Sequence, residues 1–498
     1  MKALDRWAIK EIGIPEILLM EHAAMAVATT LKNRFKKALN QSKGLILCGP
    51  GNNGADAMAA ARLIHQWNLC RFRLVLLNTH GNYSPLNLIQ SQILKGLDIP
   101  IHEDFSKKDT EGLDWIIDGL FGTGFKGELD GRAKDWIERL DNSFNRSWVI
   151  AIDIPSGLNS DTGVARGTCV RANQTVALGA LKRGLVTGSA ADYVGKVGLA
   201  SIQIPRNHPF QDTGTQAYDL KDAKKDLPGR RPTSHKGDFG HVFVWAGPRD
   251  KEGAAIIAAT AAMKSGAGRT TLVAPKNQLE SLLPRCPAEL MTLDSHKPQP
   301  NETWVVGPGM GLDENAWQSL ETFLSSQSNL VLDADALTLM GENRSQSILL
   351  MRSRVQKKLE TILTPHPKEA ARLLGKKYNV ETIEMDRYLA VELLSQTYGS
   401  TVLLKGRGTL IHDSEQATIV SLRGDQGLAK GGSGDALSGL IAGLMAQGVS
   451  CEVAGRLGAW IHGFASEKLT EKKGQSYTSL ASEIISYFQE AFRHLMPA

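Results

Sequence analysis

The chain has 498 residues, 42% hydrophobic and 22% charged, which is ordinary for a globular protein long enough for two or three domains. Its 57 Lys and Arg against 52 Asp and Glu leave a net charge of +5, too small and too scattered for a nucleic-acid binder but suited to a small anionic substrate. Five single cysteines, Cys48, Cys70, Cys169, Cys286 and Cys451, form no CxxC pair, so they point to core thiols rather than a zinc site or disulfide framework.

The first residues, MKALDRWAIKEIG, are interrupted by charges and do not read as a signal peptide. No apolar run approaches the roughly 18 residues of a membrane span. A cytoplasmic protein with no membrane partner is expected. In the first half, strand-like runs at 44–48, 72–77, 115–118, 148–153 and 175–179 alternate with helical patterns. That rhythm predicts a mostly parallel α/β sheet, with polar groups collected at the carboxyl ends of its strands.

The first of these strands ends in CGPGNNGADAM, residues 48–58. Its glycines let backbone amides approach a ligand, and a helix beginning near Ala55 favours a phosphate there. A tight strand-to-helix turn with no ligand would read the same way. After Asp118 comes GLFGTGFKGELDG, with a GxGxxG at Gly122, Gly124 and Gly127 that is weak evidence by itself. The next strand ends in DIPSG, 153–157. Oxygens converging at successive strand ends can bind a hard cation, and one carboxylate can serve as a base.

Residues 205–236 carry four prolines and many charges, including Lys221, Lys224, Lys225, Arg230 and Arg231, and read as a connection between domains. The α/β rhythm then restarts, with strands expected at 241–246, 270–274, 304–307, 330–333, 361–363 and 401–405, and helices at 435–447, 452–469 and 480–495. The motif AKGGSGDALSGLIAG, 429–443, delivers Gly434 and Asp435 to the start of an apolar helix. Free amides and the helix dipole there make an anion hole, and the carboxylate beside it can activate a hydroxyl for phosphoryl transfer. This is the signature arrangement of ribokinase-like enzymes. No GxxxxGK[ST], HExxH or GxSxG pattern occurs. LKGRGT places Lys405, Gly406, Arg407, Gly408 and Thr409 at a strand end for an adenine nucleotide. GPGMG at 307–311 lets a phosphate approach, the aspartates of DADAL at 333–337 can reach Mg2+, and TPHPKE pins His366 at a helix start.

Residues 1–217 together resemble the N-terminal domain of the YjeF family, the NAD(P)H-hydrate epimerases, whose pattern is MENAG, GxGNNGGDG, DALFGTG and DIPSG. The resemblance implies a Rossmann-like three-layer α/β domain. It further implies that Asn52, Asn53, Gly54, Ala55 and Asp56 hold the hydrated dinucleotide with Gly122, Thr123, Gly124, Phe125, Lys126, Gly127, Glu128 and Asp153. Asn53, Asp118 and Ser156 would line a K+ ion, Asp153 would be the catalytic acid/base, and Lys182 would assist. The chain departs from the pattern at His22, Ala24, Ala55 and Ala57, which add bulk near the expected pocket. Ala55 and Ala57 fall where a helix should begin, and alanine is tolerated there.

Residues 218–498 resemble the ADP/ATP-dependent NAD(P)H-hydrate dehydratases through eight ordered motifs: HKGDFGHV, GAA, SGAG, GPGMG, DADAL, TPHPKE, LKGRGT and AKGGSGDALSG. The resemblance implies a ribokinase-like α/β domain. In it Ala254, Gly309, His366 and Asp435 would touch the hydrate, Asp435 catalytically. Lys405, Gly406, Arg407, Gly408, Thr409 and Gly434 would hold the nucleotide, with Mg2+ present. The loop before Gly253 is more charged than the family's, through Arg249, Asp250, Lys251 and Glu252. The implied function is repair of hydrated NADH and NADPH. An isomerase would interconvert the R and S hydrates, and a lyase would dehydrate the S form with ADP, releasing AMP and phosphate. Nothing in the residues excludes ATP, and a homo-oligomer is left open. The alternative is a ribokinase-like small-molecule kinase with a non-catalytic N-terminal domain.

Overall fold

Each half of the chain folds on its own sheet. The structure is a computed structural model. It describes every residue except Met1, Leu69, 78–80, Asn145, Arg206, 211–213, 248–250, Glu415 and 497–498, and it does not describe the side chains of Lys2, Asp141, Asn142 and Phe144. The residues divide into two compact units, Met1–Asp212 and Thr213–Ala498.

The first unit has seven strands: β1 (Lys43–Cys48), β2 (Arg71–Leu76), β3 (Ile101–His102), β4 (Trp115–Gly119), β5 (Trp148–Ile152), β6 (Gln174–Leu178) and β7 (Lys196–Ala200). They are all parallel, in the order β3-β2-β1-β4-β5-β6-β7. Both faces are covered, so the central strands read as unbroken apolar runs rather than alternating ones. Ile46, Ile117 and Ile150 face the helices Glu16–Phe35, Asn52–Gln66 and Pro85–Gly96. Leu45, Leu47, Ile116 and Val149 face the helix Gly131–Phe144 through Trp136, Ile137 and Leu140. The order reverses between β1 and β4, which opens a crevice at their carboxyl ends.

The second unit has β8 (Thr215–Tyr218), β9 (His241–Trp245), β10 (Arg269–Val273), β11 (Met291–Leu293), β12 (Thr303–Val306), β13 (Asn329–Leu332), β14 (Thr361–Leu363), β15 (Thr401–Leu404), β16 (Thr409–His412) and β17 (Thr418–Ser421). The order is β11-β10-β9-β12-β13-β14-β15-β16-β17-β8, parallel from β11 to β15 and antiparallel at β16. The reversal lies between β9 and β12. The helices Glu252–Lys264 and Ser433–Ala446 lie side by side on one face. Their contact is so close that a Cβ at Gly439 would lie 1.9 Å from the Ala258 carbonyl oxygen, and one at Gly443 would lie 2.8 Å from that of Ala262. Only glycines permit this approach, and the pairing runs in the same sense along both helices, so their N-termini share one end of the sheet.

The segment 205–236 is less of a connection than its composition suggests. β8 pairs with β17, and the helix Leu220–Asp226 follows it. Tyr218 and Ala223 enter the second unit's core, and Arg456 is paired to Asp226 at 2.6 Å. An edge strand with one buried residue in four leaves little apolar pattern to read. The expected helix at 480–495 is two, Ala481–Ser486 and Phe488–Leu495, broken at Tyr487.

Candidate functional sites

In the first unit the crevice is a cavity of about 590 Å³. The loop after β1 leads into the helix Asn52–Gln66, which begins at Asn52 rather than near Ala55. Asn87 Nδ2 donates to the Gly49 and Gly51 carbonyls at 2.8 and 3.3 Å and so fixes the loop. A Cβ at Gly54 would lie 1.9 Å from the Gly49 oxygen, so that turn closes only on glycine. Asn52 donates to Glu16 at 2.8 Å.

Of the expected dinucleotide residues, Asn52, Asn53, Asp56, Gly122, Thr123, Gly124, Phe125, Lys126 and Asp153 line the cavity. Gly54, Ala55, Gly127 and Glu128 lie off its walls, Gly54 and Ala55 buried beneath and Gly127 and Glu128 exposed on the loop. The four departures are also off the walls. His22 is exposed, with Nδ1 2.8 Å from the Leu18 oxygen, and Ala24, Ala55 and Ala57 are fully buried in the core. The added methyls go into packing and the His22 ring into solvent, so none of the expected bulk falls in the pocket.

Asp118, fully buried at the end of β4, accepts from the Ser156 hydroxyl at 2.6 Å and the Ser156 amide at 2.8 Å. Burial pushes its carboxyl up to about 6, against hydrogen bonds from Ser156 and Leu120. Asn53 belongs to the same spot. A Cβ on Gly119 would lie 3.0 Å from the Asn53 carbonyl oxygen and one on Gly122 3.4 Å from Oδ1, while Asn53 Nδ2 is buried without a partner. The Asp118 carboxylate, the Ser156 hydroxyl and the Asn53 carbonyl and side-chain oxygens make a hard-oxygen set, so the oxygens of these residues fit a cation such as K+.

Asp153 follows β5 with φ +64, a conformation that few non-glycine residues adopt. It is 8% exposed, accepts from the Leu178 amide at 3.1 Å, and is paired with buried Lys182, which also donates to the Leu178 carbonyl at 2.8 Å. An ionisable pair with one side on a cavity can hold or release a proton there. The residue patterns did not single out Asp5, Ile9, Glu16 and Leu19, which the two N-terminal helices add to the wall. A single acid on an amphipathic helix carries no signal of a site.

In the second unit, Gly432 caps the helix Ser433–Ala446 with φ +87, and Asp435 stands in its first turn. Beneath it lies a pair not expected from the sequence. Lys405 Nζ donates to Asp333 Oδ1 at 2.6 Å, and the Ser438 hydroxyl donates to Oδ2 at 2.5 Å. A Cβ on Gly434 would lie 3.3 Å from Lys405 Nζ, so glycine keeps the helix start against this pair. Burial works to raise Asp333, but Lys405 and Ser438 hold it below the usual carboxylate range. Burial lowers Lys405, and Asp333, Glu369 and Asp435 together carry it above its ordinary value. Burial, then Asp333, pushes Asp435 up to about 6, and burial pushes Glu369 up to about 7.

His366 caps the helix Pro367–Leu374. Its Nδ1 accepts from the Lys368 and Glu369 amides at 3.1 and 3.2 Å, and the Glu369 carboxylate returns to the His366 amide at 2.8 Å. This leaves the exposed ring's Nε2 3.3 Å from Glu369 Oε1. Lys405 reaches Glu369 at 3.9 Å, which ties His366 to the Asp333–Lys405 pair. Lys405 is therefore engaged by carboxylates, while Arg407 donates to the Gly424 carbonyl at 3.1 Å. Gly406 and Gly408 have φ of +141 and +63, Thr409 begins β16, and buried Arg387 holds the Leu404 and Lys405 carbonyls. Gly309 (φ +67) lies against the loop before the helix Glu252–Lys264, whose first turn carries Ala254, and a Cβ there would be 2.6 Å from the Lys251 oxygen. Of the charged loop residues, Lys251 pairs with Asp335 at 2.9 Å and Glu252 with Arg285 at 3.1 Å, while Arg249 and Asp250 lie outside the described residues. Asp333 and Asp335 are both engaged, Asp335 also by the Gly311 amide, so they do not fit a Mg2+ ion held directly by the protein.

Among the described residues no helix is long and apolar enough to cross a membrane. A family model described as NAD(P)H-hydrate dehydratase matches residues 242–490, and one described as YjeF-related protein N-terminus matches 16–184. The chain is 36% identical to the bifunctional NAD(P)H-hydrate repair enzyme Nnr of Vibrio cholerae over 76% of this chain and 75% of that one. It is 34% identical to the Nnr enzyme of Coxiella burnetii over 95% and 94%. Among solved structures, the ADP/ATP-dependent NAD(P)H-hydrate dehydratase of Bacillus subtilis, co-crystallised with ATP and Mg2+, is 26% identical with a TM-score of 0.49, over 56% of this chain and 98% of that one.

Proposed function

Because this chain belongs to the family of bifunctional NAD(P)H-hydrate repair enzymes, we propose that its two units divide one repair between two sites. The chain interconverts the R and S hydrates of NADH and NADPH and dehydrates the S form. The first unit, Met1–Asp212, carries the epimerase, and the second, Thr213–Ala498, carries the dehydratase; the junction falls before β8 rather than at the expected 217/218.

In the dehydratase, Asp435 takes the proton of the ring hydroxyl as a nucleotide phosphoryl group is transferred to that oxygen. Phosphate then leaves and the dihydronicotinamide is restored. The observation that carries this reading is Gly434, whose bare Cα sits over the Asp333–Lys405 pair at the helix N-terminus beside Asp435. The helix amides and Lys405 offer positive charge to the group in transfer. Lys405 to Thr409 with Gly434 cradle the nucleotide, and Ala254, Gly309 and His366 orient the hydrate. ADP is the phosphoryl donor, yielding AMP and phosphate. A Mg2+ ion would come with the nucleotide and would screen its phosphate charge.

In the epimerase, Asp153 moves the proton, and Lys182, paired to its carboxylate, holds it in position. The Asn52–Asp56 and Gly122–Lys126 segments hold the dinucleotide. Asn53, Asp118 and Ser156 would hold K+, which would neutralise the buried Asp118 carboxylate at the strand end. The enzyme works in the cytoplasm on small molecules, and no nucleic acid or membrane is needed. The test is recovery of reduced-nicotinamide absorbance from mixed hydrates with ADP or ATP. Absence of recovery, with a phosphorylated small molecule formed instead, would mark the chain as a kinase.

A further inference from the structure

The first-unit cavity is lined by four acidic side chains, Asp5, Glu16, Asp56 and Asp153, against one lysine among the described residues, Lys126. Lys182 is buried and taken by Asp153, and Lys126 is exposed on the glycine loop. Asp5 stands on the helix Lys2–Lys10 and Glu16 opens the helix Glu16–Phe35, so half of this acidity comes from outside the strand-end loops. Glu16 accepts from Asn52. Asp5 and Asp56 accept no hydrogen bond from any described residue, although Asp56 is only 8% exposed. Burial first, and then Asp153, Glu16 and Asp5, hold Asp56 well above the usual carboxylate range. A wall of this kind repels a pyrophosphate and favours a cation.

The inference rests on the epimerase reading. The two hydrates differ at C6, the hydroxyl-bearing carbon bonded to ring nitrogen N1. Inversion can break either of two bonds. In one route an acid gives a proton to the hydroxyl, the C6–O bond breaks with its pair leaving as water, and the N1 lone pair forms N1=C6, making the ring cationic. Water then adds on the opposite face, the π pair returns to N1, and the spare proton passes to a carboxylate. In the other route the hydroxyl loses its proton, the C6–N1 pair leaves on N1, which is protonated, and an open aldehyde recloses from its other face.

We propose that the carboxylates of Asp5, Glu16 and Asp153 commit the epimerase to C6–O cleavage by stabilising the iminium ring, and that Asp5 is a charge-stabilising residue of that site. The dinucleotide enters with its hydrated ring toward Asp5, Asp56 and Asp153 and its phosphates toward Gly122–Lys126. The experiment follows pure R-hydrate of NADH with the full chain, without nucleotide, in water labelled with heavy oxygen, subtracting the spontaneous rate. One solvent oxygen in each S molecule formed is the expected result. S-hydrate that retains its original oxygen overturns the proposal and leaves the epimerase reading standing. No interconversion above the spontaneous rate overturns that reading and the proposal with it. Asp5→Asn should lower kcat for interconversion about tenfold or more with KM little changed. An unchanged kcat rules out the role of Asp5.

Discussion

Asp435 is the residue whose environment says most about its task. Burial and the neighbouring Asp333 push it up to about 6, and Lys405 opposes them. A base must be ionised to accept a proton, so kcat/KM for S-hydrate with ADP should be half-maximal near pH 6, level above it, and fall about tenfold per unit below it. A rate that rises toward acid would make Asp435 a proton donor and reverse its role. Asp153 calls for a different substitution. Its φ of +64 is tolerated by asparagine better than by alanine, so Asp153→Asn removes charge with the backbone kept. That variant, and Lys182→Met, should each cut R-to-S interconversion by about a hundredfold. Dehydration of pure S-hydrate should be unchanged in both. Equal loss of both activities would point to misfolding rather than to a role for the Asp153–Lys182 pair.

Between elements, the second unit depends on two helices approaching to backbone contact. Gly439→Ala puts a methyl 1.9 Å from the Ala258 carbonyl oxygen. The helices must part, at a cost of about 1–3 kcal/mol, and the first turn carrying Asp435 moves with them. Thermal unfolding should show the second unit's transition lowered and dehydration reduced, with R-to-S interconversion kept. An unshifted melting curve would overturn the requirement for glycine at this crossing. The elements most legible in the sequence are those buried on both faces. The runs around Leu45–Cys48, Trp115–Ile117 and Leu330–Leu332 are apolar without a break, as parallel strands between helix layers must be. β3, with two residues, and β7, half-exposed, lack that pattern, and β8 hides among prolines and charges. The glycine loops were equally legible, because positive φ and close approach restrict Gly309, Gly406 and Gly432 to one residue type. The pairs that set their electrostatics were not legible in the residue patterns, and only the family resemblance pointed to Lys182. Lys405 and Asp333 lie 72 positions apart and Lys182 and Asp153 lie 29 apart, and only the sheet brings them together. His366 was read as a ligand contact, but nothing in TPHPKE reveals that its ring also caps the helix and faces Glu369.

At the scale of the whole molecule, two folded units on one chain raise the question of whether their activities need that linkage. Each unit has its own sheet, its own core and its own strand-end site. Every residue named for a site lies within one unit, so each activity should survive loss of the other. With mixed hydrates and excess ADP, the Asp153→Asn chain should consume the S fraction at once and the rest only at the spontaneous rate of epimerisation. The Asp435→Asn chain should restore no reduced cofactor while still interconverting the epimers. Mixing the two variant chains supplies one working copy of each site on separate molecules. The hydrates are small and soluble, so free diffusion delivers S-hydrate from one chain to the other. The mixture should then consume both epimers at the rate of a wild-type sample with the same number of working sites. A mixture that stays markedly slower, at a dehydratase concentration that is not limiting, would mean that S-hydrate passes between the sites of one chain without release, and the fusion would then be part of the mechanism.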